Sequence, residues 1–93
     1  MSEYIDVQHE PTDDLDVVRL ITNVQLNPED ESEVYDSPEE GVEGSPLAQA
    51  LFAVPGLAAL TIDGSELVVV REQGVEWHDL IEDLTDALRD FFL

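Results

Sequence analysis

The clearest periodic pattern in the chain is an apolar stripe near its carboxyl end. Apolar residues recur there at about 3.6-residue spacing: Trp77, Leu80, Ile81, Leu84, Leu88 and Phe91. Carboxylates occupy the other side of the same segment: Glu76, Asp79, Glu82, Asp83, Asp86 and Asp90. This division of residues predicts an amphipathic helix from about Val75 to Phe92, with its apolar side on a core.

A second helix is predicted to begin at the segment Gly44-Ser45-Pro46. Serine caps the free N–H groups of a first turn, and proline suits the first helical position. One apolar stripe follows at i, i+4 and i+7, formed by Leu47, Leu51 and Val54, before Pro55-Gly56 ends the helix. No general base is placed beside Ser45 in the sequence, so we interpret this serine as a cap and not as a nucleophile.

Five segments have strand character. Alternation or β-branched residues predict strands over Tyr4–His9, Asp16–Thr22, Glu33–Asp36, Leu57–Ile62 and Leu67–Val70. Asp63-Gly64 joins the last two segments and suits the positive φ angles of a tight hairpin turn. Because residues 68–70 are three successive valines, we expect a central strand that is covered on both faces or nearly so.

In chain order these elements read β-β-β-α-β-β-α. Two helices that each carry one apolar stripe need a sheet face to cover, which predicts a two-layer α+β fold. We expect a mixed, mostly antiparallel sheet with both helices packed on one face. With 93 residues the chain forms a single domain over 1–93. An acidic loop is expected at about 27–44, where eight carboxylates occur without a basic residue.

The charge balance restricts the class of partner. The chain has 23 acidic residues, three arginines and no lysine, and its net charge is −20. Such a charge repels phosphate backbones and anionic lipid surfaces, so we expect neither nucleic acid nor a membrane as partner. Basic proteins and cations remain as electrostatic partners. The absence of lysine also favours a halophilic-like composition, in which a salt-rich cytoplasm screens the self-repulsion.

Residues with catalytic or metal-binding chemistry are few. Without cysteine the chain has no thiolate nucleophile and no iron–sulfur ligand, and we predict no catalytic residue, metal site or cofactor. We interpret His9 and His78 as solvated surface residues, although His78 and Glu82 have a spacing that holds zinc weakly. A calcium loop starting at Asp30 would have residues 34 and 35 where an acid and a glycine are required. The protein is therefore predicted not to be an enzyme.

Residues 44–57 read GSPLAQALFAVPGL. A hairpin over Ala58–Arg71 and the tryptophan-led segment 76–80, EWHDL, follow. Together they resemble the Nfu/NifU N-terminal domain family, which carries a SPLA…LF-x-[IV]-PG-[VL] helix, a hairpin and a helix opened by tryptophan. The resemblance covers residues 44–92. The family's TPNPNALKF-like segment has its counterpart in Glu10–Val17, which lacks the second proline, the asparagines and the lysine.

The resemblance implies an accessory role in iron–sulfur cluster assembly. Longer family members carry a second domain whose Cys-x-x-Cys pair holds a cluster between two subunits. We expect no such domain and no thiolate-bound cluster in this chain. Our hypothesis is a non-catalytic protein-interaction module whose partners are iron–sulfur assembly proteins or basic proteins. The alternative is a free-standing acidic binding protein, a nucleic-acid mimic or an inhibitor of a basic partner, with no cluster role.

The predicted partner-binding surface lies on the last helix and extends to the acidic loop. Its helix residues are Trp77, Glu76, Asp79, Glu82 and Asp83, and the carboxylates would attract a basic partner by electrostatic steering. Trp77 is also interpreted as a core residue. The first four residues show no secretory signal, and no apolar stretch reaches the length of a membrane span. We therefore expect a cytoplasmic protein. We also expect it to be a monomer.

The charge generates a first prediction. Molar potassium chloride is expected to raise the melting temperature of the purified domain relative to low salt, because it screens the repulsion among the carboxylates. Thermal melts followed by circular dichroism at both salt concentrations measure this. Identical melts would remove the argument for a halophilic-like composition.

Overall fold

The computed structural model describes residues 6–26 and 32–92. Its elements are β1 Val7–Pro11, β2 Val17–Thr22, β3 Ser32–Tyr35, α1 Pro38–Val42, α2 Pro46–Phe52, β4 Leu57–Asp63, β5 Glu66–Arg71 and α3 Trp77–Phe92. The five strands form one sheet in the order β1-β2-β5-β4-β3, with every neighbouring pair antiparallel. The predicted α+β class and element order are confirmed. Tyr4 and Ile5 of the first predicted strand, and residues 27–31 of the acidic loop, lie outside the described residues.

The core lies between one face of this sheet and the helices. Its buried residues are Val18, Leu20, Leu47, Ala48, Leu51, Leu57, Leu60, Ile62, Leu67, Val69, Leu80, Leu84 and Leu88. The predicted stripe of α3 contributes its leucines at i, i+4 and i+8, each at most 1% exposed. Burying side chains of this size stabilises the fold by roughly 1.5–3 kcal/mol each. Thr22 is the buried polar residue of the described chain, and its hydroxyl oxygen lies 2.9 Å from the carbonyl oxygens of Val24 and of Ser65, to which its single proton is donated in a shared hydrogen bond.

The second face of the sheet is not covered by any described helix. Leu67 and Val69 of β5 are fully buried, whereas the alternate residues Val68 and Val70 are half-buried. Strand β5 is central in the sheet, as its valines predict, but of its two faces, which were expected to be covered or nearly so, one is fully buried and the other is only half-buried. The reason is the helix placement, because all of the described helices contribute to one layer.

The predicted acidic loop contains more regular structure than expected. The short strand at its centre is present as β3, and the five-residue helix α1 follows it. Ser37 caps α1 by accepting a hydrogen bond from the Glu40 N–H at 3.3 Å, and Pro38 occupies the first turn. Ser45 and Pro46 begin α2 in the same way, with Ser45 Oγ accepting from the Ala48 N–H at 3.3 Å. The interpretation of Ser45 as a cap is thus confirmed.

The junction between α1 and α2 depends on two glycines that face aromatic rings. The rings of Tyr35 and Phe52 meet edge to face, with centroids 6.1 Å apart. A Cβ atom on Gly41 would overlap the Phe52 ring, and one on Gly44 would overlap the Tyr35 ring. The Tyr35 hydroxyl also accepts a hydrogen bond from the Ser45 N–H at 3.2 Å. Close packing of glycine on aromatic rings therefore fixes how α1 meets α2.

The β1–β2 hairpin is held to the start of α3 by Trp77. The indole N–H of Trp77 donates to the carbonyl of Leu15 at 2.8 Å. The Arg71 guanidinium lies 5.2 Å from the centre of the indole ring and forms an ion pair with Asp16 at 3.1 Å. Arg71 also donates to the carbonyl of Val75 at 3.0 Å. These bonds connect the hairpin, the end of β5 and α3 at one end of the molecule.

The glycine junction gives a second prediction. Gly41→Ala is expected to lower the free energy of unfolding by up to about 2 kcal/mol, because an overpacking cost of about 1–3 kcal/mol is offset by a gain in helix propensity of about 1 kcal/mol. Chemical denaturation measures the change. The double variant Gly41→Ala with Phe52→Leu should recover part of the loss, since the two positions are in contact. A stabilising Gly41→Ala would contradict the packing described.

The Trp77 contacts give a third prediction. Trp77→Phe retains an apolar ring but removes the indole N–H, so the free energy of unfolding is expected to fall by about 0.5–1.5 kcal/mol. The adjacent His78 side chain is 85% exposed, and His78→Ala serves as the control, with an expected change within about 0.5 kcal/mol. If denaturation shows equal stability for Trp77→Phe and the wild type, the indole hydrogen bond does not hold the hairpin in place.

Candidate functional site

A cleft lies between edge strand β1 and helix α3. Its volume is about 640 Å³. It is lined by His9, Pro11, Val18, Trp77, His78, Ile81 and Glu82. His9 and Pro11 lie opposite Leu20 and Val18 in the antiparallel register, so their side chains are on the core side of the sheet. They are nevertheless exposed, because α3 does not cover β1.

The walls of this cleft are mainly apolar. Val18 and Pro11 line the strand side, and Trp77 and Ile81 line the helix side. The polar groups are His9, His78 and Glu82, all of them exposed residues. A concave apolar surface with a few polar groups is typical of a binding site. This arrangement suits an apolar side chain of a ligand or partner.

The Trp77 side chain is a rigid part of the wall. It is half-buried, and the hydrogen bond to Leu15 fixes its orientation from behind while Arg71 lies over its ring. Leu15 itself is 82% exposed at the tip of the β1–β2 connection. The interpretation of Trp77 as a core residue is therefore only partly adequate, since it packs on the core and also faces the cleft.

Two of the five predicted site residues, Trp77 and Glu82, line this cleft. Glu76 immediately precedes α3, and Asp79 and Asp83 lie in the first half of the helix; all three are exposed and outside the cleft lining. The described part of the acidic loop forms β3 and α1 instead, and β3 is the edge strand farthest from β1 in the sheet. Glu82 at the cleft and the described loop carboxylates thus lie toward opposite edges of the sheet.

The two histidines, which the sequence separates by almost the whole chain, line the same cleft. His78 Nε2 lies 3.7 Å from Glu82 Oε2, at the i, i+4 spacing noted in the sequence. Among residues 6–26 and 32–92, no group of three or more His, Cys, Asp or Glu side chains is disposed to hold a metal ion. The geometry therefore assigns His9 and His78 to the rim of an apolar cleft.

Sequence reasoning missed the strand side of the cleft, His9, Pro11 and Val18. Pro11 was a usable signal, since proline within a strand marks an edge, and the edge is where a cleft opens. The sequence did not show that α3 forms the other side of this cleft, because residues 9 and 78 come to the same cleft only through the strand order. Within the described chain, no helix has the length and apolarity required to cross a membrane.

The fold is similar to that of known structures. A NifU-like protein from Saccharomyces cerevisiae superposes with a TM-score of 0.77 at 21% identity, over 94% of this chain and 77% of that one. A protein from Staphylococcus aureus gives a TM-score of 0.71 at 11% identity, over 92% and 99% of the two chains. One from Staphylococcus epidermidis gives 0.55 at 13% identity, over 90% and 94%. At these identities the similarity concerns the fold.

Family membership is shown by the sequence comparison. No curated protein matches the chain significantly. The family model described as scaffold protein Nfu/NifU N terminal matches residues 7–93, including the β1–β2 hairpin that the motif-based resemblance did not cover. Since this match spans nearly the whole chain, the protein belongs to the Nfu/NifU N-terminal domain family.

Proposed function

We propose that this protein is a non-catalytic accessory module of iron–sulfur cluster assembly that binds a protein partner at the cleft between β1 and α3. Membership of the Nfu/NifU N-terminal family supports the link to scaffold proteins. The observation that carries the binding role is the position of the apolar cleft beside the exposed carboxylates of α3. An apolar centre with a charged rim is the usual composition of a protein-binding surface.

The charge of the site defines the class of partner. Glu76, Asp79, Glu82 and Asp83 are four exposed carboxylates just before α3 and in its first half, and Glu82 lines the cleft. In the proposed function they increase the association rate of a basic partner, while the cleft supplies the contact that holds it. The partner is a cluster scaffold, a sulfur donor or an apoprotein that receives a cluster. The module works in the cytoplasm as a monomer, and it binds no cluster itself because it has no cysteine.

The fourth prediction tests this function by capture from an extract of the host at the host's own salt concentration. A tagged wild-type chain is expected to recover iron–sulfur assembly proteins, identified by mass spectrometry. The variant Glu76→Gln/Asp79→Asn/Glu82→Gln/Asp83→Asn should recover them several-fold less, because electrostatic attraction is lost at the site. Raising the ionic strength should weaken capture by the wild type in the same direction.

A variant with the same net charge separates the site from the overall charge. Asp36→Asn/Glu39→Gln/Glu40→Gln/Glu43→Gln also neutralises four exposed carboxylates, but at the opposite edge of the sheet. It should capture the same proteins as the wild type. Equal losses for both variants would refute a local site. Recovery of nucleic-acid-binding proteins without assembly proteins would refute the cluster role and favour the acidic mimic.

A further inference from the structure

We propose that the cleft and the outer edge of β1 form one acceptor site for an extended segment of a protein partner. The segment pairs with β1 as an additional strand and inserts an apolar side chain between β1 and α3, with lysine or arginine on either side. The inference rests on the proposed function in assuming a protein partner, and it adds the binding mode and the chemistry of the bound segment. Strand addition to a sheet edge beside a helix is an established way of binding peptides.

The hydrogen bonds around β2 determine which backbone groups of β1 face outward. The Thr22 N–H donates to the Ser65 carbonyl at 2.8 Å, and the Arg71 N–H donates to the Asp16 carbonyl at 3.0 Å. The backbone groups of Thr22, at the end of β2, and of Asp16, just before its start, therefore face β5. Backbone groups alternate in direction along a strand of an antiparallel sheet. Residues 17, 19 and 21 consequently direct their N–H and C=O groups toward β1.

The β1–β2 register shows which residues of β1 pair with these inward-facing groups. Gln8 and Glu10 lie opposite residues 21 and 19, so they form the hydrogen-bonded pairs with β2. Val7, His9 and Pro11 therefore direct their backbone groups away from β2. Strand β1 is the first of the sheet order, and no other described strand pairs with this outer side. The outer edge thus offers two N–H donors, on Val7 and His9, and ends at a residue that has no N–H.

The same two residues of β1 border both the unpaired outer edge of the strand and the cleft. His9 and Pro11 present backbone groups outward and side chains into the cleft. A strand added about 4.8 Å outside β1 would place alternate side chains on the core side of the sheet. There they meet the apolar wall that includes Trp77 and Ile81. A segment with an apolar residue at this register satisfies both the backbone edge and the cleft.

The charges around the site select a basic segment and disfavour a second copy of this chain. Glu82 lines the cleft on α3, and Glu76 and Asp79 are exposed near the start of the same helix. Two arginines of the neighbouring strands are already paired: Arg71 binds Asp16 and the carbonyl of residue 75, and Arg19 of β2 forms an ion pair with Glu10 of β1 at 3.8 Å, on the other face of the sheet. A second copy would bring a further net charge of −20 to the same place. Flanking lysine or arginine residues instead complement the carboxylates.

The fifth prediction tests this site with a synthetic probe, the blocked peptide KRTVIVTRK, added to the full ¹⁵N-labelled chain at low salt. The expected result is saturable binding, with NMR shift changes on β1 amides and on the Trp77 indole N–H. Trp77 is the only tryptophan, so its fluorescence reports the same event. A peptide with alanine in place of the valines and isoleucine, and one with glutamate in place of the basic residues, should each bind at least about tenfold more weakly.

Two substitutions at His9 distinguish backbone pairing from side-chain contact. His9→Pro removes an outward N–H without removing a β1–β2 hydrogen bond, so the fold should remain intact, as a melt would verify. It should weaken peptide binding about tenfold. His9→Ala keeps that N–H and should bind within about threefold of the wild type. Equal binding by the proline and alanine variants would overturn strand addition, as would absence of saturable peptide binding or shift changes confined to α3.

This outcome is independent of the test of the proposed function. The peptide experiment contains no iron–sulfur protein, so it succeeds or fails on the properties of the acceptor site alone. Capture from the extract reports which pathway supplies the partner, whatever the binding mode. Peptide binding without assembly proteins in the capture would refute the pathway and retain the acceptor site. The reverse result would retain the pathway and refute the acceptor site.

Discussion

Burial of the leucine stripe of α3 on one face of the sheet is the constraint on which the rest of the structure depends. Leu80, Leu84 and Leu88 are each at most 1% exposed, and α3 is the longest helix described, with 16 residues. A helix is about 10 Å across and strands are about 4.8 Å apart, so one helix covers roughly two strands. Helix α3 is thus too narrow to cover β1 as well as the strands on which its leucines pack, and the cleft is the gap that remains.

The strong acidity of the chain does not enter this core. Thr22 is the buried polar residue among those described, and the carboxylates of α3 lie on its exposed side. Stability therefore comes from apolar packing, while the charge acts on the surface, through repulsion within the chain and, in the proposed function, through attraction of a basic partner. Helix α3 contributes to both: its leucines form the side that packs in the core, and its carboxylates form the side that faces solvent.

The hairpin that borders the cleft is also where this chain departs from the family pattern. The segment Glu10–Val17 lacks the second proline, the asparagines and the lysine of the TPNPNALKF-like sequence. In the structure this segment supplies Pro11 to the cleft wall and the Leu15 carbonyl to the indole of Trp77. The change of composition thus falls on the proposed binding surface, where an acidic segment beside the acidic helix stands in place of the lysine-containing one that the family resemblance implies.

The sequence by itself determined the elements, because periodicity and capping are local properties. The stripe at 77–91 and the Ser45-Pro46 start predicted two helices, and the β-branched segments predicted the strands. The same Ser-Pro signal at Ser37-Pro38 marks α1, but the dense carboxylates around it favoured a loop. Only the tertiary structure decided the strand order β1-β2-β5-β4-β3. It also decided that the helices all pack on one sheet face, which leaves the other open, and it placed His9 and His78 in the same cleft, because side chains far apart in sequence come together only through long-range pairing and packing.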